Sequence, residues 1–501
     1  MSTVDKSRYN DVARVVAIAV MLVAAAIRIW IYFENRNLIL DEANIARNIS
    51  ERGFLELLKP LDYQQYAPPL FLWITKLNTM LFGMGEYVLR IYPLFCGIGA
   101  IWVLYKVLRK LIPAEAIWLP LSMFGFSYML IRYASEVKQY MPDAFIALLL
   151  IFFALNIDIR KVKPGSFFLY WVLIGSLAIW SSMPSVFVLS GVGGYYFLHS
   201  IGSGKRVLFL ILPAIAVVWM LQFGIYYFSV LQEQAGSEYL QNYHKIHFLF
   251  ATPWAQSEWN HNYYAFNSLV YKFIGMRPHV IDVSEILMVL SLLWMLISNR
   301  ALLVLLLMPI LTLGFAASIE QFSVMPRVAL FSMPILIIII TYSFGQLHRL
   351  RTRKAKPILV LAGLFVIVSN VWQTMEFRPF KYEEITEGMT FLKEKNVQGN
   401  AISVYHSTVP AFIYYTTIHP DKGNWESIKN ADFLSWQTNY DSLGWFMGNV
   451  WSSRIPLGFL YTNFQEFEIE KRNGGIAKSL DLVDKLDKPY VKAYIYIKPE
   501  E

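Results

Sequence analysis

About eleven stretches of apolar sequence, each near the length that crosses hydrocarbon, set the terms on which this chain can fold. They run near residues 12–33, 87–108, 114–131, 142–157, 167–181, 183–199, 207–229, 283–298, 301–318, 328–346 and 357–373. Hydrophobic residues make up 56% of the 501 and charged ones only 16%, with a mean hydropathy of +0.42. That balance excludes a water-soluble globular protein of this size. Inside a bilayer the backbone must satisfy its own hydrogen bonds, which leaves helices as the form these runs can take. The predicted class is a membrane all-α protein, a polytopic helical bundle of about 11 transmembrane helices.

The basic residues test this map, because Lys and Arg gather in short cytoplasmic loops. Lys6, Arg8 and Arg14 place the N-terminus in the cytoplasm. Alternate connections then carry Lys106, Arg109 and Lys110; Arg160, Lys161 and Lys163; Lys205 and Arg206; Arg300; and Arg349, Arg351, Arg353, Lys354 and Lys356. The formal charge of +8 therefore orients the chain in its membrane and is not the footprint of a nucleic-acid partner. The first run is too long for a signal-peptide core and has no small-residue cleavage site, so it is expected to stay as an anchor. The single cysteine, Cys96, lies inside the second run and says nothing about redox compartment. A glycan on the sequon Asn48-Ile49-Ser50 would crowd the acidic pair just before it, which favours a bacterial inner membrane.

With the cytoplasmic ends fixed, the unusual segments share the opposite face: the loop 34–86, the turn Arg132 to Pro142, the loop 230–282, the turn Ser318 to Arg327 and the tail. Residues 1–375 form the membrane domain and 376–501 a soluble extracytoplasmic α/β domain. In the first loop, Ile45, Ala46, Ile49 and Phe54 make one helical stripe, expected to lie in the membrane interface. Pro68-Pro69 leads into a short apolar helix, Leu70 to Phe82, too short to span. The 230–282 loop is rich in Tyr, Trp and His, a composition that suits both sugar stacking and an interfacial belt. In the tail, strands at Ala401 to Tyr405, Leu457 to Tyr461 and Tyr490 to Ile497 alternate with helices near Tyr382 to Lys395, Ser407 to Thr417 and Phe467 to Ser479. It has no glycine-rich phosphate loop and no metal-spaced Cys or His set.

Asp41 and Glu42 stand side by side just past the first run, and Asp143 opens the fourth directly after Pro142. A carboxylate in hydrocarbon costs about 2.5–3.5 kcal/mol at a helix centre, so such residues mark a place where chemistry is expected. As plain structure, Asp41 would serve as a helix N-cap and Glu42 would favour a first turn. Along a helix, Arg132, Glu136, Gln139 or Tyr140, and Asp143 share a face, with Arg132 and Glu136 able to pair. Arg327 is a further charge at the boundary on the same side, where snorkelling would also account for it.

The order Leu40-Asp41-Glu42, Tyr66-Ala67-Pro68-Pro69-Leu70, Glu86 to Arg90, Glu136-Val137-Lys138-Gln139-Tyr140 with Asp143, and Arg327 before Pro334 resembles the integral-membrane glycosyltransferases of the GT-C fold. The resemblance is to bacterial relatives of protein O-mannosyltransferases and of lipid A aminoarabinose transferase. It implies transfer of a sugar from a polyprenyl-phosphate donor to a lipid, glycan or protein acceptor on the outer face. It also implies a catalytic role for Asp41 and a place for Asp143 beside the donor phosphate or a divalent metal. No cofactor is required, and such a metal is the only one the resemblance brings in. Phosphate leaves as a stabilised anion, so one base suffices where hydrolases use two carboxylates. Asp41 is the expected base, with Glu42 beside it in the catalytic pair. Lys138 and Arg327, with Arg90 and Arg132 as further candidates, would hold the phosphate. Glu42, Glu136 and Tyr140 would orient the acceptor or the cations, with Tyr66 and Gln139 lining the site.

A flippase for lipid-linked saccharides, or another secondary transporter, is the rival from a different class. Transporters place ionisable groups near the midplane between paired halves. Here the acids stand at the outer edge and the sequence shows no internal repeat.

Overall fold

The computed structural model describes residues 3–499 apart from 202–206, 275–277, 350–354, 379, 381, 434–454 and 477–479. Lys205, Arg206, Arg351, Arg353 and Lys354 of the predicted cytoplasmic clusters, and the end of the predicted helix to Ser479, lie outside the described residues. Helices come in the order α1 (Thr3–Phe33), α2 (Leu40–Glu51), α3 (Pro69–Phe82), α4 (Glu86–Leu111), α5 (Trp118–Gly125), α6 (Tyr128–Tyr133), α7 (Tyr140–Asn156), α8 (Pro164–Ser181) and α9 (Ser185–Ile201). They continue with α10 (Leu208–Tyr226), α11 (Gln232–Ala235), α12 (Glu238–His244), α13 (Gln256–Ile274), α14 (Pro278–Ser298), α15 (Arg300–Ser318), α16 (Ser332–Arg349) and α17 (Ala355–Glu376). Each predicted apolar run is helical over most of its length. Among the described residues, five helices (α1, α4, α8, α10 and α15) are both long and apolar enough to cross a bilayer. The chain is a multi-pass membrane protein.

Helix α16 is the axis of the bundle. Its residues from Ser332 to Gln346 are all buried, as a helix apolar on every side must be, and α5, α7, α14, α15 and α17 pack around it. Helices α9 and α15 touch at backbone distance, since a Cβ on Gly191 would stand 2.6 Å from the Leu305 carbonyl oxygen. Without a hydrophobic force between helices in lipid, close approach at small residues supplies the packing.

The run 114–131 is not one helix but two, α5 and α6, broken at Phe126-Ser127. A break at this depth frees carbonyls that hydrocarbon cannot satisfy. Side chains of α1 and α17 answer them: Arg28 donates to Gly125 O at 2.9 Å and to Phe124 O at 3.2 Å, Asn370 to Met123 O at 3.2 Å, and Thr374 to Phe126 O at 2.6 Å. Arg28, a charge deep within the first apolar run, is thereby a buried structural cation.

The tail consists of α18 (Ile385–Glu394), β1 (Ile402–Val404), α19 (Val409–Ile413) running into a π-helical turn Tyr414–Ile418, β2 (Asp432–Phe433), β3 (Leu457–Tyr461), α20 (Glu466–Ile476), β4 (Asp481–Lys488) and β5 (Val491–Ile497). The sheet order is β2-β1-β3-β5-β4. β1 pairs in parallel with β2 and with β3, setting Ile402 opposite Gly458, and β5 runs antiparallel to both β3 and β4. The three predicted strands are the buried centre of this sheet. β2 and β4 were not legible: β2 has only two residues, and β4 reads Asp-Leu-Val-Asp-Lys-Leu-Asp-Lys, a charged and mostly exposed edge. Charge on an edge strand blocks further pairing but hides the apolar alternation that marks a strand.

One expectation about the first outer loop is overturned. The stripe Ile45, Ala46 and Ile49 does not lie in the membrane interface. It is buried in one apolar cluster with Phe71, Leu72, Phe412 and Tyr415, so α2 faces the C-terminal domain. Phe54 stays partly exposed, its carbonyl accepting from Trp73 Nε1 at 2.8 Å.

Candidate functional site

Helix α2 starts at Leu40 with Ile39 as its N-cap residue. Asp41 is therefore not the cap: it sits in the first turn, and its carboxylate is free for other partners. Three separate elements supply them. Lys138, from the α6–α7 turn, places Nζ 3.7 Å from Asp41 Oδ2, and Arg327, from the α15–α16 turn, places NH1 3.6 Å from the same oxygen. Gln65 donates to Oδ1 at 3.3 Å. The Gln65 amide oxygen accepts from Lys138 Nζ at 2.6 Å, so the amide bridges cation and carboxylate. Gln65 follows two residues, Tyr63 and Gln64, with φ of 64° and 55°. A left-handed pair without glycine is strained backbone of the sort found where a side chain must be aimed. The Arg47 guanidinium, 3.8 Å from the Tyr63 ring centroid, holds the turn.

The electrostatics follow from this geometry. Burial pushes the Asp41 pKa up, but Lys138, Arg327 and the Gln65 amide outweigh it, and the carboxyl is held below its usual range. Burial pulls the Lys138 ammonium down; Asp41 opposes that and Arg327 adds to it. About a quarter of the Asp41 and Arg327 side-chain surfaces remains open, 26% and 28%, whereas Lys138 is at 5%. The site is a partly open carboxylate between two cations with capacity left for an anion.

Glu42 is built differently. It is fully buried and accepts from Arg36 NH1 at 2.5 Å, Arg90 NH2 and Nε at 3.0 Å each, Val137 N at 2.8 Å and Ile39 N at 3.2 Å. Burial raises its pKa, yet Arg36 and Arg90 bring it down to about 2. Both oxygens are saturated, and Arg90 is spent on Glu42 and on the carbonyls of Arg36 and Asn37. Neither Glu42 as a catalytic group nor Arg90 as a phosphate ligand fits this packing: the pair ties α2, α4 and the α6–α7 turn together behind Asp41. Arg132 is likewise paired, with Glu136 at 3.0 Å, and stacks on Tyr382.

Tyr140 opens α7 and lies within electrostatic reach of Asp41, Arg327, Glu136 and Asp143, so it stands between the two predicted acidic positions. Asp143 is one turn deeper, 3% exposed, with Oδ1 unpartnered. Tyr66, Tyr92, Tyr226, Cys96 and Ser182 surround it, and the Tyr66 and Tyr226 hydroxyls bond to one another. Phenols, a thiol and a serine around one carboxylate do not fit a hard divalent cation, which takes several carboxylate or carbonyl oxygens. Among the described residues no group of three or more His, Cys, Asp or Glu gathers as a metal site. Gln139 is buried with its amide oxygen unpartnered.

Sequence reasoning missed three contributors. Gln65 adjoins the quoted Tyr66 motif, and Arg36 precedes Glu42 by six residues; position near the acidic pair was their only signal. The third is a pairing: Tyr243 of α12, one of the aromatics expected in the 230–282 loop, accepts from Arg327 NH2 at 2.9 Å and brings that loop to the site. That loop is itself helical, and Leu249 N donating to Ala317 O at 3.2 Å and Val324 N to His247 O at 3.1 Å seat it on the Arg327 turn.

A helical membrane bundle with this acidic loop and a C-terminal sheet domain has the GT-C fold. The solved structures similar to it include ArnT from Cupriavidus metallidurans in the apo state, with a TM-score of 0.54 at 13% identity, covering 98% of both chains. The same protein bound to undecaprenyl phosphate gives 0.53, with the same identity and coverage. Among curated proteins, an uncharacterized protein of Aquifex aeolicus (strain VF5) is 26% identical over 163 residues. That stretch is 31% of this chain and 32% of the other, so the chain matches about a third of its curated relative's length. No protein-family model matches.

Proposed function

We propose that this protein is a glycosyltransferase of the extracytoplasmic face, moving a sugar from a polyprenyl-phosphate donor to an acceptor hydroxyl with inversion. The observation that carries the reading is the Asp41 carboxylate held between Lys138 and Arg327, on three elements that meet at the outer edge of a GT-C bundle. The ArnT structure bound to undecaprenyl phosphate supports a donor of that class. In this reading the N-terminus is cytoplasmic, the membrane is the bacterial inner membrane, and residues 376–501 form the extracytoplasmic domain.

The acceptor hydroxyl attacks the anomeric carbon, its proton passes to Asp41, and the bond from that carbon to the phosphate oxygen breaks, releasing polyprenyl phosphate. Lys138 and Arg327 take up the phosphate charge as it develops. As they turn toward phosphate they leave Asp41, and the carboxyl recovers basicity that the resting site denies it. The base is strengthened by the substrate it serves.

The test uses full-length protein and undecaprenyl-phosphate-linked labelled sugars, a pentose and a hexose, with release of undecaprenyl phosphate as the readout. Asp41→Asn is expected to lower turnover by roughly 10²–10⁴-fold. Arg327→Ala is expected to raise the donor KM more than the acceptor KM. Full turnover in Asp41→Asn removes the base, and an unchanged donor KM in Arg327→Ala returns that residue to snorkelling.

A further inference from the structure

We propose that Glu383 of the C-terminal domain is a positioning residue for Asp41, capping from outside the helix that presents it. The inference rests on the role of Asp41 proposed above. Every helix leaves its first N–H groups without partners, and Ser, Thr, Asp or Asn at the N-cap normally supplies an acceptor. Here the N-cap is Ile39, which has none. Glu42 reaches back to Ile39 N, and Leu40 N donates to Glu383 Oε1 at 2.9 Å across 343 residues of sequence.

Glu383 is 2% exposed, and among the described residues no cation pairs with it. A buried carboxyl without a counter-ion is costly, and packing alone would favour an apolar side chain. Its other oxygen accepts from Thr462 Oγ1 at 3.3 Å, and Thr462 N is itself pinned to Thr408 Oγ1 at 2.7 Å. The end of β3 and the start of α19 thus set the direction in which Glu383 points. Two further bonds follow the same path: Leu38 N donates to the Tyr415 hydroxyl at 3.0 Å, and Asn37 Oδ1 accepts from Thr386 N at 3.0 Å and Thr386 Oγ1 at 2.9 Å. Asn37, Leu38 and Leu40, in the stretch leading into Asp41, are therefore fixed by the C-terminal domain. A displacement of about 1 Å at a reacting group can cost roughly 10²-fold in rate, so docking of that domain sets whether Asp41 is in place.

The experiment compares Glu383→Met, which fills the space without an acceptor, with Glu383→Gln, which keeps a carbonyl oxygen for Leu40 N and an N–H for Thr462 Oγ1. Both are made in the full chain. Amide hydrogen exchange over residues 38–42 is expected to rise roughly tenfold in Glu383→Met, the size of a lost cap, while exchange in β3 and β5 stays as in the parent. Undecaprenyl phosphate release is expected to fall roughly 10- to 100-fold in kcat, with donor KM within about threefold. Glu383→Gln is expected to return both readouts to within about threefold. The proposal is overturned if exchange at 38–42 does not change, if kcat in Glu383→Met stays near the parent, or if Glu383→Gln is as impaired as Glu383→Met. A parent protein that releases no undecaprenyl phosphate counts against the proposed activity instead, and the exchange measurement still decides whether the cap exists.

Discussion

Replacing Glu42 by Gln separates a structural acid from a chemical one, because its neighbour Asp41 serves as the internal control. In Glu42→Gln one oxygen becomes an NH2 group. On the Oε2 side it would face Arg36 NH1, Arg90 NH2 and Ile39 N, now at 2.5, 3.0 and 3.2 Å. On the Oε1 side it would face Arg90 Nε and Val137 N, at 3.0 and 2.8 Å. Either way donors oppose donors, and two buried guanidiniums lose the carboxylate they share. Breaking a buried pair of this kind costs about 3–5 kcal/mol. Asp41 is a quarter open and contacts its cations at 3.6 and 3.7 Å, so Asp41→Asn forfeits about 1 kcal/mol or less. In thermal denaturation of the detergent-purified protein, Glu42→Gln is expected to fall by about 3–5 °C, and Asp41→Asn to stay within about 1 °C of the parent. A Glu42→Gln protein that melts with the parent yet has lost turnover would refute the structural assignment and return Glu42 to the chemistry.

Three other outcomes follow from the same contacts. Because Asp41 is depressed by cations that the donor phosphate would draw away, the acid limb of kcat should lie at higher pH than that of kcat/KM; coincident limbs would mean the cations never leave Asp41. Gly191→Ala drives a Cβ to 2.6 Å from the Leu305 carbonyl and should destabilise the bundle by about 1–3 kcal/mol, read as a lower melting temperature with the donor KM unchanged in what survives. Glu383, pushed up to about 8 by burial with Asp41 and Glu42 adding to the rise and the Leu40 N–H and Thr462 lowering it, contributes stability present below pH 4.5 and lost as pH climbs toward 8. Melting should weaken by up to ~1.4 kcal/mol per pH unit over that range, and Glu383→Gln should flatten the slope; a parent with no slope refutes the linkage.

The helical bundle was legible because hydrocarbon leaves the backbone no alternative, and the position of each apolar run survives into a helix. Where one run became two, the information lay elsewhere: the break at Phe126 is tolerated because Arg28, Asn370 and Thr374, from 97 to 248 residues away in sequence, satisfy its carbonyls. Asp41, Lys138 and Arg327 could be named from type and location, since charge at the outer boundary is rare. Their division of labour could not. Asp41 and Glu42 are adjacent acids with the same local propensity, and only the packing of α4 and Arg36 behind the second makes one a buried tie and leaves the other open. The amphipathic stripe of α2 misled for a related reason: an interfacial helix and one buried under a domain share a period, and the covering domain begins more than 300 residues later.

The depressed pKa of Asp41 looks at first like an argument against the base role proposed for it, and under that proposal the same geometry answers the objection. An open carboxylate that is a general base at all times would assist attack by water as readily as by the acceptor, and the donor would be exposed to hydrolysis. Here the two groups that weaken it, Lys138 and Arg327, are also the two with capacity for an anion. Gln65 keeps Lys138 within reach of Asp41, and Tyr243 holds Arg327 from the other side. Under the proposed mechanism, phosphate that displaced either contact would remove part of the field holding the carboxyl down, and basicity would follow occupancy without any movement of the helices. The saturated Glu42 is part of the same arrangement: Arg36 and Arg90 are consumed in bracing α2 and are not among the cations paired with Asp41.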